Sequence, residues 1–184
     1  MAIVLRSGAA GLLLVALATG AQAGPAKFEL SSPAFRNGGE IPARFTCEGP
    51  NVSPPLAWSD PPDGTKSFAL IVRDPDAPDP AAPLMTWIHW AVYAIPAERR
   101  ALEEGASAQK LPGGGRHGRN DWRQPNYGGP CPAIGRHRYI YTLYALDLPP
   151  KNLASAPHAA LWEVFKDHVI GKAELTGTYQ KQAK

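Results

Sequence analysis

Three stretches of this chain are apolar at both even and odd positions, and they set its expected architecture. They are Ser67 to Arg73 (SFALIVR), His89 to Pro96 (HWAVYAIP) and Arg138 to Asp147 (RYIYTLYALD). A strand with no polar side is covered on both faces, so the first is expected at the centre of a sheet. It is expected to stop at Asp74-Pro75-Asp76-Ala77-Pro78-Asp79-Pro80, where alternating prolines and aspartates oppose both helix and further pairing. From Lys27 to Ser59 short apolar pieces alternate with turn residues, the pattern of short strands and tight turns. Twenty prolines in the chain also work against long helices. A helical turn is expected around ERRALEEG (98–105). A fuller helix is expected after Ser155, with Pro157 in its first turn. Leu161, Val164, Phe165, His168 and Val169 fall at helical spacing, and Gly171 serves as terminator. AELTGTYQ (173–180) reads as a last strand. The expected fold is mostly β, with an antiparallel sheet core and one or two peripheral helices in one domain.

The ends and the cysteines add an address. Arg6 precedes an uncharged run from Gly8 to Ala18, and Ala21-Gln22-Ala23 forms an A-x-A pattern before Gly24. This is the layout of a secretory signal peptide over residues 1–23, followed by a domain over 24–184 that is periplasmic or secreted. An uncleaved anchor is the alternative, although the apolar run is short for a bilayer. The net charge of +3 does not call for nucleic acid or a membrane surface. Cys47 and Cys131, in an oxidising compartment, could form one bridge between a loop and the N-terminal part; two partly buried thiols are the alternative. Neither lies in C-x-x-C and no zinc-ligand set is apparent, so neither metal nor cofactor is expected.

Candidate chemistry concentrates from Gly113 to Tyr139. This stretch holds seven of the 18 glycines and five arginines against the single acid Asp121, and it reads as a long irregular loop. Such loops are usually functional when ordered. If the 67–73 strand pairs antiparallel with the other two, Asp74, His89 and His137 converge at one rim beside that loop. Two imidazoles, tyrosine hydroxyls and backbone N–H groups of the Gly-Gly-Pro-Cys-Pro turn suit a phosphate or carboxylate. Asp74 is then expected to accept a hydrogen bond from one imidazole and fix its tautomer. Plainer readings stand beside these. Asp74 to Pro78 could be only a turn, His89 a core histidine, Arg138 an ion-pair partner, His117 a solvated side chain and His168 a complement to a helix dipole.

Asp74-Pro75-Asp76-Ala77-Pro78, Trp87-Ile88-His89-Trp90, Tyr127-Gly128-Gly129-Pro130-Cys131-Pro132 and Gly135-Arg136-His137-Arg138-Tyr139 together resemble the phosphatidylethanolamine-binding protein family, also called the Raf kinase inhibitor protein family. Phe45 to Gly49, Asn51 to Pro54 and Arg119 to Trp122 look like its bacterial branch. The resemblance covers essentially residues 24–184. It implies a second, smaller sheet and a pocket for phosphate-like head groups. That pocket would be formed by Asp74, Trp87, His89, Gly129, Pro130, His137 and Tyr139, with Asp76, Pro78 and Pro132 at its edge. Cys131 departs from the family pattern and would alter or tether the loop. The expected function is non-catalytic binding of a small anionic or phosphorylated ligand. One alternative is a module inhibiting a protease or kinase, with Arg116, Arg119 and Arg123 on its surface. Another is a hydrolase using Asp74 or Asp76 with His89, against which stands the absence of G-x-S-x-G, H-E-x-x-H and Walker motifs. Dimeric bacterial relatives make a homodimer the assembly to test.

Overall fold

The computed structural model describes residues 27–108, 111, 115–150 and 156–182. The leader expected over 1–23 and the capping Ser155 lie outside the described residues. Two antiparallel sheets form the body. The larger contains β3 (Ser67–Ala77), β4 (Met85–Pro96), β6 (Arg116–Gly118), β7 (Arg136–Leu146) and β8 (Val169–Gln180), in the order β6-β4-β3-β7-β8. The smaller contains β1 (Glu29–Ser31), β2 (Leu56–Ser59) and β5 (Ala101–Leu102), in the order β1-β2-β5. One α-helix, α1 (His158–Phe165), and 3-10 turns at Ala43–Phe45, Ala106–Ala108 and Lys166–His168 complete the described elements.

β3 is central, as its two apolar parities require. Phe68, Leu70 and Val72 point into the core shared with the smaller sheet, where they meet a cluster containing Leu30, Leu56, Trp58 and Leu102. Ala69 and Ile71 face the other way, into a cluster with Ile88, Ala91, Tyr93, Leu161 and Phe165. The first face is therefore covered by sheet and the second by α1. Each wholly buried Leu or Phe in these layers contributes on the order of 1.5–3 kcal/mol through removal from water.

Four expectations change. β3 does not stop at Arg73: Asp74 pairs with Trp87 and Ala77 with Met85 on β4, across register shifts. Its pairing with β7 ends at Arg73↔Ile140, so from Asp74 onward one side of the strand is an edge. Proline is tolerated on an edge, where its missing N–H breaks no ladder. Consequently β4 begins at Met85 rather than near His89. The segment ERRALEEG is not helical; Ala101–Leu102 pair with β2 because Leu102 completes the small-sheet core. The helix ends at Phe165 and Gly171 lies inside β8, since pairing Val169 and Gly171 to β7 satisfies more backbone groups than a further helical turn.

The long loop is also interrupted. Arg116–Gly118 joins β4 as an edge strand, with His117 opposite Val92. His117 is not solvated: Trp90 Nε1 donates to its Nδ1 at 3.2 Å. His168, in a 3-10 turn, pairs with Asp147 at 2.8 Å instead of closing a helix.

Candidate functional site

The edge segment of β3 supplies the first group of a cavity. Asp74 is buried, and its Oδ1 accepts the backbone N–H of Asp76 at 2.8 Å. Its Oδ2 accepts from His137 Nδ1 at 2.7 Å, so β3 and the start of β7 are joined by a buried carboxylate–imidazole pair. The second nitrogen of His137 faces the carbonyl of Ile134 at 3.0 Å. Neither nitrogen is left for a ligand, contrary to the expectation that both imidazoles serve as donors.

His89 reaches the same place through a bulge. Val72 pairs with Trp90 and Arg73 with Ile88, so His89 is the extra residue of β4. A bulge re-aims side chains and breaks strict alternation. The His89 ring thereby stands edge-on to Tyr139 of β7 with centroids 5.0 Å apart, and its Nε2 lies 3.9 Å from Asp74 Oδ2. Its Nδ1 is 2.6 Å from the carbonyl of Gly128, an oxygen that can only accept, so Nδ1 carries the hydrogen. Burial holds the His89 ring below its ordinary pKa of 6.5; Gly128, Asp74 and Asp121 pull in the opposite direction without prevailing. The neutral ring therefore presents a lone pair at Nε2.

The cavity measures about 260 Å³ and is lined by Asp74, Ala77, Pro78, Met85, Trp87, His89, Trp122, Cys131, Pro132, Ala133, His137 and Tyr139. Two of its residues hold orphaned donors. The indole N–H of Trp87 and the hydroxyl of Tyr139 are buried and have no acceptor among the described residues. Buried donors without partners are uncommon in folded proteins and call for an explanation. Burial, followed by the nearby Asp74 charge, raises the Tyr139 pKa, which keeps the hydroxyl a donor. Trp122 stands edge-on to both Trp87 and His89, closing one side.

Asp76, Gly129 and Pro130 do not line the cavity. Asp76 clasps Arg138 through its backbone N–H at 2.8 Å, Nε at 2.9 Å and Nη2 at 2.6 Å. Hydrogen bonding from Arg138 holds the Asp76 carboxyl below its ordinary value of 3.8. Arg138 is thus the ion-pair partner that its plainer reading described. Gly129 and Pro130 instead hold the loop. Gly129 N–H donates to Asn51 Oδ1 at 2.8 Å, and the Pro130 carbonyl accepts from Cys47 N–H at 3.1 Å. A Cβ on Gly129 would fall 2.3 Å from Asn51 Oδ1 and 2.4 Å from the Phe45 carbonyl oxygen, so only glycine permits this approach. Cys47 and Cys131 are joined by a disulfide with Cα atoms 5.4 Å apart.

Trp122, Met85, Ala77 and Ala133 line the cavity without having been singled out for it. Trp122 had a signal, its position in Arg119-Asn120-Asp121-Trp122. The place of Met85 depends on how far β3 and β4 extend, which the proline-rich turn concealed.

Comparison with known proteins follows the same lines. The family profile described as phosphatidylethanolamine-binding protein matches residues 31–180. A UPF0098 protein of Methanothermobacter thermautotrophicus is 42% identical over 153 residues, covering 83% of this chain and 98% of the relative. A UPF0098 protein of Chlamydia pneumoniae is 41% identical, covering 83% and 99%. Among solved structures, the phosphatidylethanolamine-binding protein homolog CT736 of Chlamydia trachomatis superposes with a TM-score of 0.76 at 37% identity, covering 84% of this chain and 98% of that one. Escherichia coli YbcL, described as a member of the mammalian family, gives 0.77 at 34% identity, covering 85% and 100%.

Proposed function

The chain belongs to the phosphatidylethanolamine-binding protein family, and from that premise we propose that it is an exported, non-catalytic binding protein for a small oxyanion such as phosphate or a phosphorylated head group. One observation carries this reading: the cavity is lined by Trp87 and Tyr139, whose donors are buried without acceptors among the described residues. An oxyanion supplies the missing acceptors, and the apolar walls strengthen each bond by excluding water. Export is supported by the leader-like residues 1–23 and by the Cys47–Cys131 disulfide, which persists in oxidising compartments. Titration calorimetry with phosphate, phosphoethanolamine and acetate tests the pocket. His89→Ala is expected to weaken binding at least tenfold; a variant that binds like wild type removes the cavity from the function.

A second reading, a protein-interaction module, is favoured by the apolar side chains beside the mouth. Met85 and Trp122 line the cavity and are exposed, and the exposed Leu84 and Ile134 adjoin the lining residues Met85 and Ala133. A captured partner that phosphate displaces would support this reading and locate the partner's contact at the cavity.

A further inference from the structure

A second cavity, of about 420 Å³, lies beside the first and shares Trp122 and Cys131 with it. No charged side chain lines it, and its polar side chains include the carboxamides of Asn51, Asn120, Gln124 and Asn126. Asn120 is buried and spends its amide on the fold. Its Oδ1 accepts from Gln124 N–H at 3.0 Å, and its Nδ2 donates to the Asn126 carbonyl at 3.0 Å. Asn120 N–H also donates to the Gln124 carbonyl at 3.0 Å, so the turn over 120–126 is clasped from inside while the Gln124 and Asn126 side chains stay exposed. Asn51 is oriented by its partner. Gly129 N–H donates at 2.8 Å to one end of its amide, so that end is the oxygen and the other is the NH2. The NH2 of Asn51 and the whole Gln124 amide have no hydrogen-bond partner among the described residues. Asn126 Oδ1 takes only a long contact from Asn120 Nδ2, at 3.4 Å, which leaves its NH2 free as well.

This lining does not suit an anion. The backbone N–H groups of Gly128 and Gly129 are already donated, to the His89 carbonyl at 2.9 Å and to Asn51. The Tyr127 hydroxyl is likewise spent on the Phe45 carbonyl at 2.9 Å. What remains is a set of neutral amides beside the exposed indole of Trp122. Carboxamides both donate and accept, which matches hydroxyl groups, and an indole face offers an apolar surface to the C–H groups of a ring. The volume lies within the range of small-molecule sites, about 300–1,000 Å³. We propose that this second cavity binds a neutral polyhydroxylated ring, a sugar residue, through the amides of Asn51, Gln124 and Asn126 with Trp122 as its apolar wall. The proposal is independent of the oxyanion reading, because the two cavities share only Trp122 and Cys131 and none of the polar groups invoked for either ligand.

The test is an NMR-monitored titration of the full chain with glucose, N-acetylglucosamine, maltose and glucuronate. Saturable binding of at least one neutral sugar is expected, in about the millimolar range for a ligand of this size. The side-chain amide resonances of Asn51, Gln124 and Asn126 should shift most. The Gln124 side chain makes no hydrogen bond with the described residues, so Gln124→Ala should leave the fold intact. It is expected to weaken binding of that sugar about two- to tenfold, the range for one lost hydrogen bond. Saturating phosphate should leave the sugar bound. Three outcomes of the titration overturn the proposal: no saturable binding, shifts centred on Trp87 and Tyr139, or glucuronate binding at least tenfold more tightly than every neutral sugar. Sugar affinity unchanged in Gln124→Ala overturns it as well, since the free amide would then hold nothing.

Discussion

The cavity has two halves built by different means. Asp74, Trp87, His89, His137 and Tyr139 come from three adjacent strands, held in register by the β3–β4 and β3–β7 ladders. Trp122, Cys131, Pro132 and Ala133 come from the loop between β6 and β7. No ladder holds that loop, so its position depends on separate ties: the disulfide to Cys47, Asn51 to Gly129, Tyr127 Oη to the Phe45 carbonyl and Asp121 to Ile88. The strand half carries every titratable group of the cavity, and the loop half carries apolar wall. The difference separates chemistry from enclosure. Polar geometry sits on the rigid side, where a small shift would be costly.

Cutting the disulfide should test this division with the largest effect. Cys47 and Cys131 lie 84 residues apart, and losing a bridge across a loop of that size typically costs about 2–4 kcal/mol. Cys47→Ser with Cys131→Ser is expected to lower the denaturation midpoint accordingly and to weaken phosphate binding, with the strand half still folded. Chemical-shift changes confined to the loop and to residues 45–51 would fit. Unchanged affinity would show that the loop half encloses nothing the ligand uses.

Asp76 offers the converse test on the strand half. It is buried two residues from Asp74 on β3, yet its charge is spent on Arg138, outside the cavity. Asp76→Ala removes three hydrogen bonds from Arg138, but the guanidinium is more than half exposed and water replaces part of them. A stability loss of about 2 kcal/mol is expected, with phosphate affinity unchanged within about twofold. The Asp76 pKa is depressed in the folded state, so its contribution is present above the ordinary value of 3.8 and is lost as pH falls below it. A loss of affinity as large as that of His89→Ala would make Asp76 part of the site after all.

How much of this was legible in the sequence divides along the same line. Strand identity, the centrality of β3 and the convergence of Asp74, His89 and His137 followed from apolar parity and antiparallel order. The bulge at His89 did not, because periodicity carries no mark of a single extra residue. Strict alternation would have sent His89 to the face opposite Trp90. The extent of β3 past Arg73 was hidden by prolines whose tolerance depends on which side of the strand is an edge, a tertiary fact. Gly129 and Pro130, grouped with the pocket through family resemblance, turned out to be anchors of the loop half. Asn51, which receives Gly129, lies 78 residues away and could not be paired with it by spacing.

The smallest expected effect is also the one most specific to the strand half. His89 is buried and neutral, with its pKa below the ordinary 6.5, whereas in the unfolded chain it takes up a proton as pH falls through that value. Below about pH 6.5 the unfolded state therefore holds the extra proton, and stability falls as pH falls, by at most about 1.4 kcal/mol per unit from this one group. The slope ends once the folded ring itself protonates, and above 6.5 His89 contributes none. This window lies well above that of Asp76, so the two halves of an acid titration report on different carboxylate and imidazole environments. His89→Gln should flatten only the upper window. An upper slope that survives His89→Gln would mean that another group titrates there and that His89 is not held neutral by burial.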